Sequence, residues 1–176
     1  GKSYLAQRSN ICKFTAGRLE VNIPLATEPA LVETNQRIAT PKRLPSYDKT
    51  IPNGRIGLLI HDEDLSAVNW LSEGCELVTV AGLLSSAAYR NYGIEESVIK
   101  FRSDCMRSAL PEKAEIFSCP NKFAEWAYSQ NLDAVLMAEV PVGICKDVII
   151  DLESLLASHE IKIIKRRHWW DTHFYP

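Results

Sequence analysis

Arg55-Ile56-Gly57-Leu58-Leu59-Ile60 runs straight into His61-Asp62-Glu63-Asp64. Apolar residues at consecutive positions leave the segment no polar face. It is therefore predicted to be a strand covered on both sides, with the polar residues in the loop after its carboxyl end. Similar runs follow at Glu76-Leu77-Val78-Thr79-Val80-Ala81-Gly82, Ala114-Glu115-Ile116-Phe117-Ser118, Asp133-Ala134-Val135-Leu136-Met137-Ala138 and Ile161-Lys162-Ile163-Ile164. Between them the period changes to that of a helix. Ser66 to Ser72 reads as a short helical turn. Glu95 to Leu110 reads as a helix whose apolar stripe is Ile94, Val98, Phe101, Cys105 and Ala109, with Pro111 after its end. Pro120 to Asn131 carries Phe123, Ala124, Ala127 and Tyr128 on one face, and Asp147 to His159 turns Val148, Leu152, Leu155 and Leu156 inward. Five apolar runs alternating with helices require parallel pairing through right-handed crossovers. The expected fold class is α/β: a doubly wound, about five-stranded parallel sheet of Rossmann-like type, preceded by an irregular N-terminal arm.

The chain changes character near Pro52-Asn53-Gly54. Residues 1–54 are expected to form the proline-containing arm and residues 55–176 the α/β domain. Pro24, Pro29, Pro41, Pro45 and Pro52 exclude a long helix across the arm, leaving room for a short one over Ala30 to Ile38. The 176 residues suffice for one real core and an appended segment. A net charge of −2 gives no whole-chain attraction to nucleic acid or to a membrane surface. No apolar run approaches the roughly 20 residues of a membrane-spanning helix, and Gly1-Lys2-Ser3-Tyr4-Leu5 lacks the apolar stretch of a secretory signal. Cys12, Cys75, Cys105, Cys119 and Cys145 are odd in number and free of any C-x-x-C pair, so reduced thiols in the cytoplasm are expected. Cys75 and Cys145 sit among apolar residues, where cysteine behaves as a small hydrophobe.

From Arg55 onward the chain resembles the N-terminal α/β domain of the DNA photolyase and cryptochrome family. Asp64-Leu65 is similar to the acidic-leucine pair that ends the first strand there, and Ser118-Cys119-Pro120 to the family's turn into a helix after the third strand. Asn131 through Glu139, the following amphipathic helix and Glu160-Ile161-Lys162-Ile163 match the fourth strand, helix and fifth strand. Trp169-Trp170-Asp171-Thr172-His173-Phe174-Tyr175-Pro176 looks like the hand-over to a linker. The resemblance covers about two-thirds of the chain. It implies an accessory light-harvesting pigment, a folate or a deazaflavin, held by this domain. FAD and the DNA-repair chemistry would belong to a separate partner helical domain. The chain is then expected to be a fragment or stand-alone antenna-like module without catalysis of its own, and without DNA contact through this segment alone.

Ligands of open parallel sheets bind outside the carboxyl ends of the strands. Asp62 and Asp64 are therefore candidate acceptors for the amino groups of a heterocycle, or, in the plainer reading, parts of a solvated loop whose Asp caps the next helix. His61 adjoins them and reads as a site residue or as a structural hydrogen bonder. Glu139, after the fourth strand, is a second candidate carboxylate, and the resemblance implies a pigment contact near it. Gly143, in Val140-Pro141-Val142-Gly143, lets backbone approach a ligand closely. Gly82-Leu83-Leu84-Ser85-Ser86 offers donors to a phosphate or an amide, although such serines are common in turns. Lys162, Lys165, Arg166, Arg167, His168, Trp169 and Trp170 combine cations with rings, as a nucleic-acid surface does. The alternative is a strand end whose tryptophans pack on a partner. There is no G-x-G-x-x-G, no G-x-x-x-x-G-K-[ST] and no G-x-S-x-G in the sequence, and no zinc-like spacing of His and Cys. Besides the chromophore-binding module, two functions stand open: a nucleotide binder or enzyme of the adenine-nucleotide α/β type, and a non-catalytic interaction domain.

Overall fold

The computed structural model describes residues 5–28 and 53–174. The short helix expected over Ala30 to Ile38 lies outside them. The chain divides into two units, Gly1–Lys42 and Arg43–Pro176.

In the first unit, α1 (Arg8–Phe14) is a seven-residue helix that buries none of its side chains. Ala16 and Gly17 then take left-handed backbone angles, and the Gly17 N–H donates to the Cys12 carbonyl at 2.8 Å, which ends the helix. Prolines begin only after this point, so a helix here agrees with the constraint they impose.

The second unit is built as β1 (Ile56–His61), α2 (Ala67–Trp70), β2 (Leu77–Leu83), α3 (Ser86–Asn91), α4 (Glu96–Ala109), β3 (Glu115–Phe117), α5 (Pro120–Ser129), β4 (Ala134–Ala138), α6 (Ile144–Ser158), β5 (Lys162–Arg166) and α7 (Trp169–Phe174). All five strands are parallel, in the order β3-β2-β1-β4-β5. Leu58 of β1 stands level with Val80 of β2 on one side and Leu136 of β4 on the other. The uniform apolarity of β1 is explained by a core on each face. Leu58 and Ile60 join Leu71, Tyr89, Ile99 and Met106 from α2, α3, α4 and their connections. Leu59 turns to the opposite face with Phe123, Ala127, Ile149 and Leu152 from α5 and α6. The doubly wound α/β fold follows.

Two helical faces differ from expectation. On α4 the buried side chains are Ile99 and Met106, while Phe101 is 67% exposed and Val98 also faces outward. On α5, Phe123, Ala124 and Ala127 are buried, but Tyr128 lies outside and packs its ring against His159 at 4.8 Å. The α6 face agrees, with Val148, Leu152 and Leu156 buried and Leu155 packed at the edge of that core. Elements absent from the expectation are α1, α3 and α7.

Candidate functional site

The carboxyl end of β1 divides its polar residues between two environments. His61 is the last residue of the strand and 1% exposed. Its Nε2 lies 3.1 Å from the Ala138 carbonyl, and its Nδ1 accepts from the Glu63 N–H at 3.3 Å. That pair of contacts requires the neutral ring protonated on Nε2. Burial holds its pKa below the ordinary value, against the opposing pull of the Ala138 carbonyl and the three neighbouring carboxylates.

Asp62 is sealed in beside it, its side chain 3% exposed. The carboxylate accepts from Arg102 Nη1 at 2.7 Å and from the Tyr89 hydroxyl. Arg102 Nη1 also reaches Glu63 Oε1 and Tyr89 Oη, each at 3.1 Å, and its guanidinium lies over the Tyr89 ring at 5.2 Å. Burial, then the Asp62 contact, pushes the Tyr89 phenol upward, so it stays a donor. Cys145 closes the same side from α6, and burial pushes its thiol up and away from the nucleophilic thiolate form. Neither Arg102 nor Tyr89 stood out in sequence. The available signal was that Arg102 lies in step with Ile99 and Met106, on the face that α4 buries, where a cation needs a carboxylate.

Asp64 turns the other way. Its Oδ1 accepts from the Ser66 N–H at 3.0 Å and the Ser66 hydroxyl at 2.6 Å, which fixes the turn into α2. Beyond it opens a crevice of about 560 Å³. It lies where β1 and β4 adjoin, and the chain runs outward from them to β2 in one direction and to β5 in the other. This is the reversal of strand order at which doubly wound sheets hold ligands. Glu63 and Asp64 line it from β1, Glu139 and Val140 to Val142 from β4, and Arg166 to His168 from β5.

The basic run at the end of β5 is consumed by internal partners. Lys165 pairs with Glu153, and Arg167 Nε with the Glu139 carboxylate. Arg166 Nη1 donates to the carbonyls of Leu71 at 2.9 Å and Glu73 at 3.3 Å, closing the carboxyl end of α2. Lys165 and Arg167 thus meet carboxylates and Arg166 is held by neutral carbonyls, which leaves Lys162 as the exposed cation of the run. The rings form a wall instead. Trp70 meets His168 edge-to-face at 5.1 Å, and His168 stacks on Trp170 at 3.4 Å between centroids.

Of the residues singled out in sequence, Asp64 and Glu139 come together in the crevice, whereas His61 and Asp62 are turned into the protein. Gly143 sits next to the crevice rim at the start of α6, with φ of 149°. Ser85 serves as the cap of α3, its hydroxyl accepting from the Ala88 N–H at 3.4 Å. No group of metal-ligating side chains occurs among the described residues, and no helix among them is long and apolar enough to cross a membrane. Trp70, His168, Trp170 and Asp171 were not foreseen as crevice residues, because Trp169-Trp170 read as an extended segment and in fact opens α7. No protein-family model matches the chain, and no curated protein or solved structure proved significantly similar to it.

Proposed function

We propose that the α/β domain is a non-catalytic binding module that holds a planar heterocycle in this crevice, as the antenna-pigment domain of a photolyase-like protein does. The observation that carries the reading is the crevice at the strand-order reversal, walled by Trp70, His168 and Trp170 and edged by carboxylates. Its volume of about 560 Å³ is that of a small-molecule site. A folate or deazaflavin ring suits these residues: indoles stack on a π-face, while Asp64 and Glu139 offer oxygens to amino and ring N–H groups. Such a pigment would supply light absorption. The protein's part would be to hold its ring and shield it from water. FAD and repair chemistry would then rest with a separate helical domain, in a cytoplasm that keeps the five free thiols reduced. Non-catalysis is favoured by the chemistry at β1, where His61 has both nitrogens engaged and Cys145 is held as a thiol.

The nucleotide-binding reading is weaker because Arg166 and Arg167 already have partners. The test is the near-UV and visible absorption of the purified chain, followed by denaturation and fluorescence of the released fraction. A pigment band that leaves with the small-molecule fraction is expected. A colourless protein whose thermal midpoint rises with ATP or AMP would overturn the pigment in favour of a nucleotide.

A further inference from the structure

We propose that Trp170 is the specificity-determining platform of the crevice: a heteroaromatic ring bearing N–H donors stacks on its open face while the Asp171 carboxylate accepts from it. The inference rests on the crevice being a ligand site, and it names the side chains that would choose the ligand.

The ring wall has a direction. Trp70 packs its edge on His168, and His168 occupies one face of Trp170. Of these rings Trp170 is the most open, lining the crevice while 48% exposed, with the Trp169 ring tilted against it at 5.9 Å. A fourth ring would continue the stack. Trp169 is 70% exposed but does not line the crevice, so exposure alone does not single out Trp170.

The carboxylates are unequal too. Glu63 is bound to Arg102, Asp64 to Ser66 and Glu139 to Arg167. Asp171 lines the same crevice, and among the described residues its carboxylate has no hydrogen-bond or ionic partner. Trp170 and Asp171 are adjacent in the first turn of α7, so a stacking face and an open acceptor arrive together. Four carboxylates and two engaged guanidiniums line the space, which disfavours an anion and favours a ring that donates.

The proposal is tested by calorimetric titration of the full chain with three probes: 2-amino-4-oxopteridine, 1,3-dimethyllumazine (a related ring without N–H donors) and AMP. The aminopteridine should bind most tightly and AMP least. Trp170→Leu should weaken aminopteridine binding by about fivefold or more, the scale of one base–aromatic stack. Trp170→Phe should restore most of that loss, and Trp169→Leu, which removes a neighbour of Trp170 but no wall of the crevice, should weaken binding less than Trp170→Leu does. Asp171→Asn should weaken the aminopteridine but not the dimethylated ring. Unchanged urea midpoints in the variants would show that the fold is intact. If the wild type binds and Trp170→Leu binds as well, the platform is overturned and the crevice stands. Tighter AMP binding overturns the ligand class. Equal aminopteridine binding by Asp171→Asn overturns the role of Asp171. No binding of any probe by the wild type overturns both the platform and the crevice.

Discussion

Asp62 and Asp64 stand two residues apart after the same strand and live in opposite conditions. Asp62 is buried and held by a guanidinium and a phenol from α3 and α4. Asp64 is half-buried at a crevice, and among the described residues its carboxylate is held by Ser66 of its own turn. A carboxylate removed from water must recover its lost hydration from fixed donors, and every donor it takes is withdrawn from a ligand. One that keeps access to water needs a single local partner and retains acceptor capacity. Proximity in sequence to a strand end therefore does not make a site. The side to which the residue turns decides whether it supports the fold or meets solvent.

That contrast breaks most sharply at Asp62. Asp62→Ala would leave Arg102 and the Tyr89 hydroxyl facing one another without their common acceptor. The expected loss of stability is about 2–4 kcal/mol by urea unfolding, somewhat under the roughly 3–5 kcal/mol for a fully buried ion pair, because the Arg102 side chain is partly exposed. A loss below about 0.5 kcal/mol, the scale of an ordinary surface substitution, would mean that the network is not the lock described.

The sheet was legible in the sequence because β1 and β4 are covered on both faces, and a run such as Leu58-Leu59-Ile60 leaves neither face of a strand fit for water. The face of α4 was not legible. That helix carries two apolar stripes, one through Val98 and Phe101 and one through Ile99, Met106 and Leu110. Gly82 of β2 marks which one packs. A Cβ added there would lie 2.7 Å from Met106 Sδ and 2.8 Å from Leu110 Cδ1, so the missing side chain is where the second stripe seats. The choice is made by a residue on another element, beyond the reach of helical periodicity. The crevice was half legible for the same kind of reason. Asp64 and Glu139 follow from strand ends, whereas the Trp70–His168–Trp170 wall joins α2, the end of β5 and α7, which no local pattern connects.

On the buried side, acid gives the next largest effect. The pKa of His61 is lowered in the fold by burial, so below about pH 6.5 the unfolded chain takes up a proton that the folded chain resists. Stability therefore falls as pH drops through this window, by at most about 1.4 kcal/mol per pH unit for one proton. His61→Gln keeps an N–H for the Ala138 carbonyl and cannot titrate. Between about pH 7.5 and about pH 5.5 it should lose less stability than the wild type. Equal losses would assign the acid sensitivity to the carboxylates instead. A smaller effect is expected of Tyr89→Phe, which keeps the ring against Arg102 but deletes one donor to Asp62. Its cost should be about 1 kcal/mol by urea unfolding, because Arg102 still holds the carboxylate.

The smallest change in stability belongs to Asp64, and it is the one that sharpens the contrast. Asp64→Ala removes the acceptor for the Ser66 N–H and hydroxyl, a local turn contact at the start of a four-residue helix. Water can replace it, since the carboxylate lies at an open crevice. The expected cost is about 0.5–1 kcal/mol, the scale of a cap. Asp64→Asn, which keeps an acceptor oxygen for Ser66, should cost less still. If Asp64→Ala cost as much as Asp62→Ala in the same urea titration, the open side would be as much a part of the fold as the sealed one. The crevice would then lose its standing as a surface left available to a ligand.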